Sequence, residues 1–226
     1  MDIELRDVAD GLWLWRQPHL DWSAGHDWEP EVSSFAVHAG GVGVLLDPLA
    51  PPPGSSAALW ERLDALAPEA VVILKPDHVR DLDLFVRWYG LRALGPRLFL
   101  PGDVPRTSLE PVQPGDVPHT ALEPVLPGDE LPGGLRALDD GRTEHETPLY
   151  LPEQQALVFA DGLTAPDGVL RVWNTPRHRE RVLPALRALL ELPFEHVLVS
   201  HGEPVHSRTD FEAALEREPW GPPRPA

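Results

Sequence analysis

Four short apolar runs, each stopped by an ionisable side chain, constrain the fold of this chain most. They are VGVLL before Asp47, VVIL before the stretch PDHVRD, ALVFA before Asp161 and HVLVS before His201. A continuous apolar run of that length reads as a strand buried on both faces. Such strands must be covered on each side, so a layered α/β architecture follows. The end of a strand is rigid and the loop after it can expose a side chain, so these four ends are where a site can be built.

The remaining pattern fills in the layers. Leu12–Arg16, Ser34–His38 and Val42–Asp47 read as strands, with a hairpin turn at Gly40-Gly41. Ser56 can cap a helix that buries Leu59, Leu63 and Leu66. After the strand Ala70–Leu74, a second helix places Leu82, Phe85, Val86 and Tyr89 on one side and stops at Gly90. Further strands are expected at Arg97–Leu100, Pro148–Leu151, Ala156–Ala160, Val169–Val172 and His196–Ser200. Leu183–Leu192 reads as a helix with Pro184 in its first turn, and Thr209 with Glu212 reads as a capping box for the last helix. Strands, then strand–helix alternation, then the same again suit two sheets with helices outside.

Residues 101–134 differ in character: PGDVPRTSLEPVQ is followed at once by PGDVPHTALEPVL. Two Pro-rich copies cannot stack into a core, so the expectation is a duplicated surface loop. His119 lies in the second copy, with Arg106 at the matching place of the first, and is not taken as a ligand. With 226 residues, the chain is expected to form one domain over 1–226, with 219–226 as a frayed tail.

Composition narrows the chemistry. There is no cysteine, so any metal must be held by histidine and carboxylate. The 36 acidic residues against 19 basic ones give a net charge of −17, which repels phosphate backbones and anionic lipid. The expected partner is a small molecule, not a nucleic acid or a membrane. The N-terminal residues carry acidic groups and no apolar signal-like core, and a cytoplasmic location is the expectation. No nucleophile elbow, P-loop or strand-linked G-x-G-x-x-G is present.

The order of these segments resembles the metallo-β-lactamase superfamily from about Leu12 to Val205. SFAVHAGGVGVLLDPLAP resembles its opening hairpin, and VVILKPDHVRDLDLFVRWYG stands where the superfamily has T-H-x-H-x-D-H leading into a helix. EHETPLYLPEQQALVFADGL resembles the G-H-T-x-G stretch followed by a strand and its aspartate, and VLVSHGEPV resembles the terminal strand and S-H-G turn. The resemblance implies a four-layer αβ/βα sandwich: two mixed β-sheets flanked by helices. It also implies a site made from His78, His145, Asp161 and His201.

The departures bear on function. Pro76, Asp77, His78, Val79, Arg80 and Asp81 occupy the six motif positions, and only His78 keeps its imidazole. Pro76 offers no ligand atom, and Arg80 puts a permanent cation where the superfamily has a metal-binding aspartate. Two outcomes follow. In one, His78, His145, Asp161 and His201 hold one divalent cation, zinc in the first place. The activated water then attacks an ester, thioester, lactone or amide, with Asp161 or Asp81 taking the proton. In the other, Arg80 pairs with Asp161 or Asp81, the metal is lost, and the cleft binds a small ligand or partner without catalysis. Asp47 is expected to accept hydrogen bonds beside the site. His19, Trp22, His26 and Trp28, in the loop PHLDWSAGHDWEP, either form a flap over the substrate or seal one end of the core.

Overall fold

The structure is a computed structural model that describes residues 3–20, 22–26, 28–52, 54–96, 120–142, 146–175 and 177–221. Elements are numbered in chain order. A seven-stranded sheet runs β1 (Glu4–Ala9), β2 (Leu12–Pro18), β3 (Glu31–Ala39), β4 (Val42–Leu46), β5 (Pro68–Val72), β6 (Arg92–Pro96) and β7 (Glu123–Val125), each beside the next. β1 to β4 are antiparallel, and β4 to β7 are parallel. The second sheet contains β8 (Glu130–Leu131), β9 (Leu135–Ala137), β10 (Leu149–Leu151), β11 (Ala156–Phe159) and β14 (His196–Val199), in the order β14-β11-β10-β9-β8. β11 and β14 are its parallel pair. A two-stranded ribbon joins β12 (Leu163–Thr164) to β13 (Arg171–Val172).

Alternation along the strands sorts side chains into layers. Val44 and Leu46 of β4 meet Val158 and Leu198 of the other sheet, while Leu45 between them faces outward. Leu45 packs with Leu59 and Leu63 of α1 (Ala57–Leu66) and with Leu82 and Phe85 of α2 (Leu82–Tyr89). On the far side, Leu157, Phe159, Val197 and Val199 pack with Leu186 of α3 (Leu183–Ala188) and Phe211 of α4 (Arg208–Glu216). This is the expected four-layer sandwich, and it explains why the apolar runs have no polar face: a strand between two layers is buried on both.

Several local expectations change. The cap of α4 is Ser207, whose hydroxyl accepts the Asp210 N–H; Thr209 lies inside the helix, so the Thr209–Glu212 box does not form its start. β6 ends at Pro96, and the strand expected at Arg97–Leu100 lies outside the described residues, as do His119 and most of the repeat. The described end of the second copy is not peripheral: Glu123–Val125 is β7, and Val125 is buried between the sheets. In the tail, the Trp220 N–H donates to the Val172 carbonyl, so the chain is tied down to that point. Among the described residues, no helix is long and apolar enough to cross a membrane.

Candidate metal centre

The parallel pairs set the site. β4 and β5 share one direction, as do β11 and β14, so within each sheet the chain leaves both strands at the same edge. The two sheets touch there, through a bridge between Val32 and His201 and through Ser33 N–H donating to the Ser200 carbonyl. Asp47, His78, Asp161 and His201 arrive from sequence positions far apart.

His78, Asp161 and His201 each offer one ligand atom, and the three atoms lie within 4.8 Å of one another. Asp161 Oδ1 is 3.3 Å from His78 Nε2 and 3.2 Å from His201 Nε2. Ligands about 2.0–2.1 Å from a tetrahedral ion stand roughly 3.3 Å apart, so both spacings suit one shared cation. Asp161 Oδ1 is buried, and the two ring nitrogens are the polar groups that stand beside it. The three residues therefore fit a metal ion.

The outer contacts explain how each ligand is held. His78 Nδ1 lies 2.8 Å from Asp47 Oδ2, and Asp47 Oδ1 accepts the Leu74 N–H at 2.7 Å. That contact places the Nδ1 proton on the Asp47 side and turns Nε2 toward Asp161. Burial lowers the His78 pKa, but the Asp47 and Asp161 carboxylates outweigh burial and Arg80 and raise it to about 9. Burial would raise Asp161, yet Lys75, His78 and His201 hold it well below the usual carboxylate range. Burial keeps His201 below the ordinary imidazole value, against the pull of Asp161. Its Nδ1 is buried and has no hydrogen-bond partner among the described residues. Gly202, at φ 97°, makes the turn after His201; a Cβ there would sit 2.2 Å from the Ala165 carbonyl oxygen.

The cation beside Asp161 is Lys75, whose Nζ stands 2.7 Å from Oδ2. Arg80 was expected in that place. Its backbone takes φ 47°, and its guanidinium instead donates to the Ser33 carbonyl at 3.0 Å and the Asp47 carbonyl at 2.7 Å. One guanidinium nitrogen, Nη1, thus meets backbone oxygens in β3 and just after β4, and the expected Arg80–Asp161 pair does not form. Asp81 is also elsewhere: its Oδ2 accepts the Ala50 N–H at 2.7 Å and pins the loop after β4, outside the three-ligand group. His145 and the Asp77 side chain lie outside the described residues.

The loop before β3 does reach the site. Trp28 lies 5.0 Å from the His201 ring, His26 stacks on Trp28 at 5.0 Å, and His19 meets its edge at 5.7 Å. Trp22 Nε1–H donates to the Trp28 carbonyl. Trp173 flanks His201 from the other side at 6.1 Å. Two further residues escaped the reading of the sequence. Lys75, the only lysine, follows VVIL directly and could have been found as a strand-end ionisable group. Glu146 accepts the Ala160 and Asp161 N–H groups and so sets the turn that presents Asp161; no spacing signal marks it.

Comparison with solved structures agrees with this architecture. The metallo-β-lactamase FIM-1 from Pseudomonas aeruginosa, in its mono-zinc form, aligns with a TM-score of 0.62 over 96% of this chain and 94% of its own, at 16% identity. The metallo-β-lactamase from Pontibacter korlensis aligns with a TM-score of 0.62 over 96% and 100%, at 15% identity. The chain has the metallo-β-lactamase fold. The metal-soaked Flv1 flavodiiron core from Synechocystis sp. PCC6803 aligns with a TM-score of 0.64 over 95% of this chain and 61% of its own, at 15% identity. No family model matches the sequence, and no curated protein matches it. Within a metallo-β-lactamase fold, His78, Asp161 and His201 are the imidazoles and carboxylate that this chain brings together.

Proposed function

We propose that this metallo-β-lactamase-fold protein is a hydrolase of that superfamily with a site for one divalent cation, zinc in the first place. His78, Asp161 and His201 hold the ion, and His145 is the further imidazole that the resemblance implies. The substrate is a small molecule with an ester, thioester, lactone or amide carbonyl. The observation that carries this reading is the convergence of two imidazoles on one buried carboxylate oxygen, Asp161 Oδ1, at 3.3 Å and 3.2 Å, with one ligand atom of each residue within 4.8 Å of the others. Zinc at such a site supplies a Lewis acid and an activated water. The chain's own residues do the rest. Asp47 fixes the His78 ring, and Glu146 fixes the Asp161 turn. Asp161 faces Lys75 through Oδ2, so it orients the site and is poorly placed to shuttle a proton. Trp28 supplies an aromatic wall beside His201.

The test is metal content and turnover together. Protein purified without chelator should carry about one zinc equivalent. It should turn over at least one substrate in a panel of activated esters, thioesters and lactones, and His201→Ala should lose both properties. Metal without any turnover removes the hydrolase reading. A second reading is a non-catalytic binding protein. The Lys75–Asp161 ion pair at 2.7 Å and the missing ligand atom at Pro76 favour it. It predicts no zinc uptake and no effect of His201→Ala on any panel substrate.

A further inference from the structure

Lys75 stands after β5, directly before the turn that carries His78, and reaches the oxygen of Asp161 that faces away from the two imidazoles. We propose that Lys75 is a built-in second cation: it holds the outer oxygen of Asp161, stabilises the site without metal and weakens the binding of the one metal ion. The inference rests on reading His78, Asp161 and His201 as a one-cation site.

Three observations carry it. The Nζ–Oδ2 distance is 2.7 Å, and both side chains are largely buried, at 16% and 9% exposure. Asp161 is thus divided, with Oδ1 toward the imidazoles and Oδ2 on the ammonium. The two residues lie 86 positions apart and follow strands of different sheets, so the pair is also a clasp across the mouth of the sandwich. A buried carboxylate with no cation would be costly, and in the metal-free protein the ammonium on Oδ2 supplies charge beside the His78 ring on Oδ1. A divalent ion on Oδ1 must then share its carboxylate with a fixed positive charge on the neighbouring oxygen. Like charges in a poorly solvated site repel strongly, so the lysine opposes the metal it stands beside. Lys75 is a positioning residue with two opposed effects, on stability and on affinity.

The experiment uses the whole chain stripped with chelator, as parent, Lys75→Met and Lys75→Arg. Methionine keeps a long stem and removes the charge; arginine keeps the charge. Each protein is titrated with zinc by calorimetry, and its thermal midpoint is measured with and without the ion. The Met variant should melt below the parent when metal-free, bind one zinc about tenfold tighter or more, and gain more in midpoint on zinc addition. The Arg variant should follow the parent. Zinc taken up by Lys75→Met and not by the parent supports the opposition by Lys75 and overturns the resident ion proposed for the parent. A Met variant that binds zinc equally or more weakly overturns the proposal and makes Lys75 a simple support of Asp161, with the metal site intact. Zinc bound by neither protein overturns both the proposal and the one-cation reading on which it rests.

Discussion

At the scale of single residues, the site depends on side chains whose backbone is unusual. Asp47 and Arg80 both take left-handed φ values, 44° and 47°, although neither is glycine. Asp47 also accepts from Leu74 N–H and touches His78 Nδ1, so its replacement tests stability and ligand geometry separately. Asp47→Ala should cost about 3 kcal/mol in denaturant unfolding, because a buried donor is left unmet and alanine dislikes that backbone. Asp47→Asn tolerates the backbone and should cost much less. Its amide N–H would face His78 Nδ1, moving the ring proton to Nε2 and reducing zinc affinity about tenfold or more, as read by calorimetry. A second residue prediction concerns Asp140. Burial and the neighbouring Glu146 raise its pKa to about 8, against the pull of Arg142. Between an unfolded pKa of about 4 and that value, the folded protein keeps a proton that the unfolded chain has lost. Its contribution to stability is therefore complete below about pH 4 and lost as pH rises toward 8, with a slope of at most about 1.4 kcal/mol per pH unit. Asp140→Asn should flatten that part of a stability–pH curve; an unchanged slope would show that another group sets it.

Strand ends, rather than loops, position the functional groups at the scale of elements. Asp47 follows β4, Asp161 follows β11 and His201 follows β14, while His78 stands in the turn between β5 and α2. These elements were legible because their residues are buried on both faces, which leaves an uninterrupted apolar signal. Shorter elements were not. β8, β12 and β13 have two residues each, too few for any period to show. The repeat was read as pure surface because its composition is that of a loop, yet LEPV at its end completes a sheet edge as β7. The first copy carries the same four residues, Leu109 to Val112. Removing residues 101–113 therefore leaves the strand sequence intact and should move the thermal midpoint by less than about 2 °C. Val125→Asp should lower it far more, because Val125 is buried in the layer between the sheets. Comparable losses in the two variants would refute this division of roles.

For the whole molecule, charge is the dominant long-range term. A net charge of −17 on 226 residues makes the folded chain repel itself, and the few basic residues are used locally. Arg16 illustrates this: it donates to the Gly202 carbonyl at 2.8 Å and pairs with Glu203, fastening the turn that presents His201 to β2. Sodium chloride screens the general repulsion more than such part-buried contacts. Raising it from about 20 mM to about 500 mM should increase the thermal midpoint by a few degrees. A midpoint that falls with salt would mean that the local ion pairs outweigh the net charge.

The sequence by itself marked the apolar strands and their four ionisable ends, and the resemblance in its motifs named His78, His145, Asp161 and His201, three of which the fold brings within 4.8 Å of one another. Apolar period and strand-end chemistry are local properties, readable from neighbours in the chain. Only the tertiary structure decided which cation faces Asp161, where Arg80 goes and what Asp81 holds. Lys75 and Arg80 are five residues apart on one short segment, and both are basic enough to satisfy a carboxylate. The choice between them depends on where β3, β4 and β11 bring carbonyl and carboxylate oxygens. Arg80 meets the carbonyls of Ser33 and Asp47, Lys75 reaches Asp161 across the mouth of the sandwich, and those distances exist only after the two sheets have packed.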